Sequence, residues 1–145
     1  MNDEQLLRGF ESATIDPESF GHTEHVRLAW LYLEGGSVWD AAAKLTGGLR
    51  RLTAVLGVPG KYHETVTLAW ILLINERRAR TDQPGWAAFR SAHPDLFEDG
   101  SATIGAYYRS ETLRSDFARR VFVLPDRGAA AAGMATTRVE GEAAA

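Results

Sequence analysis

The sequence predicts an all-α fold, a compact single-domain helical bundle of about five to six helices in a chain of 145 residues. Three observations predict it. Apolar residues recur at i, i+3, i+4 and i+7 in several windows, the spacing of one helix face. No useful length of sequence alternates apolar and polar residues, and no Asn-Gly pair offers a hairpin turn. A segment carrying three of the four histidines occurs twice, forty residues apart, as a duplicated helical hairpin packed about a local pseudo-two-fold axis would produce.

The elements follow in order. Asn2 is placed to cap a helix over Asp3 to Ser12, with acids in its first turn and Leu6, Leu7 and Phe10 on one side. A second helix begins near Thr23, carries the stripe Val26, Ala29, Trp30 and Leu33, and stops at Gly35-Gly36. Ser37 caps a third helix, supported by Asp40 and continued by Leu45, Leu49, Leu52 and Leu56 until Gly57-Val58-Pro59-Gly60. The fourth runs from Tyr62 to Arg80, with Val66, Ala69, Trp70 and Leu73 repeating the earlier stripe. Trp86 to Ser91 forms a short helix, and His93-Pro94-Asp95 begins a turn or single-turn helix. Ser101 caps a segment through Tyr108, and a last helix from Ser110 or Glu111 carries Leu113, Phe117 and Val121. The helical domain is expected to span residues 1–127. From 128 to 145 the chain is rich in alanine and lacks aromatic residues, so a disordered tail is expected.

Composition narrows the function. A formal net charge of -3 gives no basic field for nucleic acid or an anionic membrane surface. No apolar run approaches the roughly 20 residues that span a bilayer, and Met1-Asn2-Asp3-Glu4 is acidic where a signal peptide is basic. A cytoplasmic location is expected, with a small molecule as ligand and a homodimer among the assemblies this allows. With no cysteine in the chain, imidazole and carboxylate are the groups left to ligate a metal.

The repeated segments read His22-Thr23-Glu24-His25-Val26-Arg27-Leu28-Ala29-Trp30 and Tyr62-His63-Glu64-Thr65-Val66-Thr67-Leu68-Ala69-Trp70. Polar residues lead in both, so the histidines fall at helix N-termini, where the backbone dipole disfavours an imidazolium. His22 and His25 lie three apart on one face. If the two helix starts meet, His22, His25 and His63 would hold a divalent transition metal (Zn, Fe, Cu, Ni or Mn) and leave a coordination position open. Glu64 and His63 are the candidate catalytic groups. The alternative uses of the same residues are caps and solvated charge. Glu24 in particular suits a first turn on electrostatic grounds alone.

Tyr108 and Arg109, in the run Tyr107-Tyr108-Arg109-Ser110, are candidate substrate contacts, because Arg forks onto a carboxylate or phosphate and Tyr adds a hydroxyl on an apolar body. Tyr62, beside His63, joins them. His93 reads as a surface or capping residue, and Trp30 and Trp70 as core residues able to wall a cavity beneath the histidines.

The run from Phe20 to Trp30, Lys61 to Thr67, Tyr107-Tyr108, Leu113, Ser115, Ala118-Arg119 and Val123-Leu124-Pro125-Asp126 resembles a pattern in small, uncharacterised bacterial proteins. The resemblance implies one compact unit and no reaction. Two functions are therefore expected: a small metal-dependent enzyme acting on an acidic metabolite, or a helical ligand-binding or regulatory module without metal. A metal-free enzyme using His25 or His63 as general base is a variant of the first.

Overall fold

The computed structural model describes residues 1–127; the tail expected from 128 lies outside the described residues. Nine α-helices and no strand are found among them: α1 (Asp3–Glu11), α2 (His22–Gly35), α3 (Val38–Val55), α4 (Glu64–Ala79), α5 (Trp86–Ala92), α6 (Asp95–Glu98), α7 (Gly100–Gly105), α8 (Ser110–Arg114) and α9 (Asp116–Arg120). None is long and apolar enough to cross a membrane. Single 3₁₀ turns at Pro17–Ser19 and Pro59–Lys61 lead into α2 and α4, each opened by a proline whose φ suits a tight helical start.

The first four helices obey local signals. Asn2 Oδ1 accepts the Gln5 N–H and the Gln5 side chain returns to the Asn2 N–H, a complete capping box. Ser37 accepts the Asp40 N–H to start α3. Leu56 ends α3, and Gly57 follows at φ 73°, the left-handed position where a Cβ is costly. α2 crosses both α3 and α4, and its stripe Val26, Ala29, Trp30 and Leu33 is buried. α1 closes one side. Gly48 of α3 sits so near the Phe10 ring that a Cβ there would come within 2.2 Å of Cε2. The absent side chain is what lets α1 and α3 approach.

Four expectations need correction. The repeated stripe is not used alike in the two helices: Trp30 is buried against Trp86 at 5.6 Å, whereas in α4 Val66, Ala69 and Trp70 are half-buried, and of that stripe only Leu73 is buried, alongside Thr65, Thr67, Ile71 and Ile74. The fourth helix starts at Glu64 rather than Tyr62, because the His63 ring is its cap. The segment through Tyr108 ends as a helix at Gly105. The single last helix is two, since Ser115 turns to extended backbone (ψ 145°) and caps α9 through its own hydroxyl. Phe117, in α9, and Val121, just beyond it, are 58% and 42% exposed.

Beyond α9 the chain runs back over the first turn of α4 and is tied there. The Thr65 hydroxyl, fully buried, shares its one proton between the carbonyls of Ala118 (2.6 Å) and Val121 (2.9 Å) and accepts the Val123 N–H (3.1 Å). Tyr108, 1% exposed, donates its hydroxyl to the Val123 carbonyl at 2.7 Å. Asp126 accepts the Arg109 N–H and the Thr112 hydroxyl. Those two bonds hold its carboxyl below the usual carboxylate range.

Candidate functional site: a cavity under the histidine-bearing helix starts

The starts of α2 and α4 do meet around one space. A cavity of about 400 Å³ lies between α2, α3 and α4, and His22, His25, His63 and Tyr62 all line it. Its floor is apolar: Val26 and Ala29 from α2, Leu45 and Leu49 from α3, and Ile74 and Trp70 from α4. This is a small pocket by the standard of ligand sites, which run from about 300 to 1,000 Å³ and combine apolar walls with a few polar groups.

Each histidine has a different environment. His63 accepts the Val66 N–H on Nδ1 at 3.1 Å, satisfying one of the donors that a helix start leaves open. Its proton is thereby assigned to Nε2, which donates to the Leu113 carbonyl at 2.7 Å. Both nitrogens are committed. His22 Nε2 bonds the Leu96 carbonyl at 2.7 Å, and its ring meets Trp70 edge-on at 4.9 Å. The fourth histidine, His93, closes a chain outside the cavity: Arg77 donates to its Nδ1, its Nε2 donates to Thr81, and Thr81 donates to the Arg77 carbonyl. Arg77 also grips Asp95 with two bonds. Burial and the neighbouring Arg77 lower the His93 pKa.

His25 is the exception. It lines the cavity, its ring stacks on Phe20 at 4.1 Å, and neither nitrogen has a hydrogen-bond partner among the described residues. Burial, reinforced by His22 and opposed by Glu24, pushes its pKa down to about 4. The ring is neutral at pH 7, with one nitrogen available as acceptor and the other as donor.

The acids have structural partners. Glu24 reaches back to the Gly21 N–H at 2.9 Å, so it is part of the cap of α2. Glu64 takes the Arg50 guanidinium on both oxygens at 3.1 Å and the Tyr62 hydroxyl. Arg50 in turn lies over the Tyr62 ring, 4.9 Å from its centre. Burial, helped by this carboxylate, raises the Tyr62 hydroxyl well above its ordinary pKa. Tyr62 is therefore a fixed wall of the cavity rather than a free hydroxyl.

Residues expected to share a site are thus sorted by the fold. His22, His25, His63 and Tyr62 come to one cavity, while Tyr108 and Arg109 are not among its lining residues. Tyr108 is a buried clamp on Val123, and the backbone N–H of Arg109 holds Asp126. Among the described residues no three His, Asp or Glu side chains form a group able to hold a metal ion. A centre on His22, His25 and His63 would require His63 to give up its cap and its bond to Leu113, and His22 its bond to Leu96. The arrangement does not fit the three-histidine metal centre. Lys61, Thr53 and Thr67 also line the cavity; Lys61 and Thr67 carried no sequence signal beyond membership of a polar helix start, and Thr53, near the end of α3, carried none. Compared with protein-family models, curated proteins and solved structures, the chain finds no match.

Proposed function

We propose that this chain binds a small, largely apolar molecule in the cavity beneath α2 and α4, and that His25 receives a hydrogen-bonding group of that molecule. One observation carries the reading. His25 alone of the four histidines has both ring nitrogens unclaimed by described residues, and it lines an apolar cavity. A half-buried imidazole with both nitrogens uncommitted, beside an apolar space of this size, is the kind of polar group that orients a ligand. A neutral imidazole is also the form a general base requires, so His25 is the group to accept a proton where the bound molecule is turned over. Glu64 and His63 act as positioning residues in this reading: Glu64 fixes Tyr62 and His63 caps α4.

The test is titration with 1-octanol, followed by the side-chain resonances of His25 and by tryptophan fluorescence. Octanol is expected to shift the His25 ring signals saturably, and His25→Leu to weaken binding about fivefold, the value of one net hydrogen bond. Saturable binding that leaves the His25 signals unmoved, or no binding at all, would refute the assignment.

A further inference from the structure

The wall at the α4 side of the cavity has a second face. An open groove of about 1340 Å³ runs between α7 and α8, and His22, Val66 and Trp70 line it as well as the cavity. Three side chains therefore separate the two spaces. Two of them are edge-on to each other, and His22 is held by a single hydrogen bond to the Leu96 carbonyl. Gly100 packs against His22 on the groove side, so closely that a Cβ on it would approach His22 Nε2 to 2.8 Å and Trp70 Cζ2 to 3.3 Å. The same side chains face both spaces, and the missing Cβ of Gly100 leaves room for the imidazole.

The two compartments differ in chemistry. The cavity is mainly apolar, with the histidines, Tyr62 and Lys61 as its polar lining, whereas the groove carries Arg114, Arg127, Ser110, Glu98 and Asp99. The Asp99 carboxylate is spent on capping α7 through the Ala102 N–H. Neither Arg114 nor Arg127 has a side-chain partner among the described residues, although Arg50, Arg77, Arg78 and Arg120 all do. Guanidinium groups lining an open groove are suited to fork onto an oxyanion.

We infer that cavity and groove are two parts of one ligand site, and that the ligand is an amphiphilic anion. Its largely apolar body, with the hydrogen-bonding group that meets His25, occupies the cavity, and its carboxylate or phosphate head lies in the groove on Arg114 and Arg127, past His22 and Trp70. The inference rests on the cavity reading proposed above and adds the class of ligand to it.

Calorimetric titration of the full chain with decanoate, octanoate, acetate and decyltrimethylammonium tests it, together with Arg114→Ala, Glu98→Gln and Lys61→Ala. Decanoate is expected to bind more tightly than octanoate, and acetate not to bind. Arg114→Ala should weaken decanoate about threefold to fivefold, and Glu98→Gln should tighten it by about half as much, in keeping with single partly exposed charges. Decyltrimethylammonium should respond to the two variants with opposite signs. Arg114 is exposed and without partners among the described residues, so its loss leaves the fold intact. Decanoate binding that ignores Arg114→Ala and Glu98→Gln but falls with Lys61→Ala would put the head at the other mouth of the cavity and overturn the inference, leaving the cavity reading standing. Failure of every apolar probe to bind would overturn both.

Discussion

Lowering the pH below neutrality should destabilise this protein through His25 in particular. Its pKa falls from 6.5 in the unfolded chain to about 4 in the folded one, chiefly through burial. Between those values the unfolded chain holds a proton that the folded chain refuses, so protons favour unfolding. Stability is full above about pH 6.5, declines as pH drops through the window, and levels off below about pH 4. From pH 7 to pH 5 the chain crosses about 1.5 pH units of that window, worth about 2 kcal/mol at roughly 1.4 kcal/mol per unit. In a domain of this size that corresponds to a fall in Tm of roughly 6–10 °C. His93 is depressed too and adds a contribution of the same sign, so the comparison has to be made against a variant. Urea unfolding of the parent and of His25→Leu at both pH values isolates the His25 term: the parent should lose about 2 kcal/mol more than the variant. Equal losses in the two proteins, or a His25 ring that titrates near 6.5 by NMR, would show that the imidazole is not desolvated and would remove the basis for treating it as the neutral group of the site.

Two further outcomes concern the frame around the cavity. Thr65→Val should cost about 2–3 kcal/mol, because the methyl group strands the Ala118 and Val121 carbonyls and the Val123 N–H; Thr65→Ser should recover most of it, and a loss in chemical denaturation below about 0.5 kcal/mol would contradict the clamp. Gly48→Ala should destabilise by about 1–3 kcal/mol despite the better helix propensity of alanine, because its Cβ would meet Phe10, and Phe10→Leu in the same chain should recover part of the loss; a Gly48→Ala variant as stable as the parent by thermal melting would be the contrary result.

Much of the fold could be read locally. Asn2 and Ser37 announce their helices because a capping side chain bonds an amide three residues on, and the stripe of α2 is buried as its spacing requires. The C-terminal third was harder to read. Ser115 caps α9 by the same kind of bond, yet Leu113, Phe117 and Val121 share a helical spacing that pointed to one continuous helix. The candidate site was half legible. The repeat raises the meeting of the two histidine-bearing helix starts without deciding it, and they do line one cavity. Which histidine is available could not be read, because the groups that occupy His22 and His63 are carbonyls 74 and 50 residues away. Thr65 went unnoticed for the same reason: its partners stand 53 to 58 residues further along, and a threonine in a first turn looks ordinary.

The first turn of α4 does two jobs with adjacent residues. Val66 and Thr67 line the cavity, while His63 and Thr65, on the same turn, anchor Leu113, Ala118, Val121 and Val123. Occupancy of the cavity and attachment of the C-terminal segment are consequently read by one short stretch of backbone. The Val66 amide, bonded to His63, and the Val123 amide, bonded to Thr65, form a pair of natural exchange clocks. A molecule that packs against Val66 stiffens the turn that both depend on, so the two amides slow together although one lies beside the cavity and the other belongs to the far end of the chain.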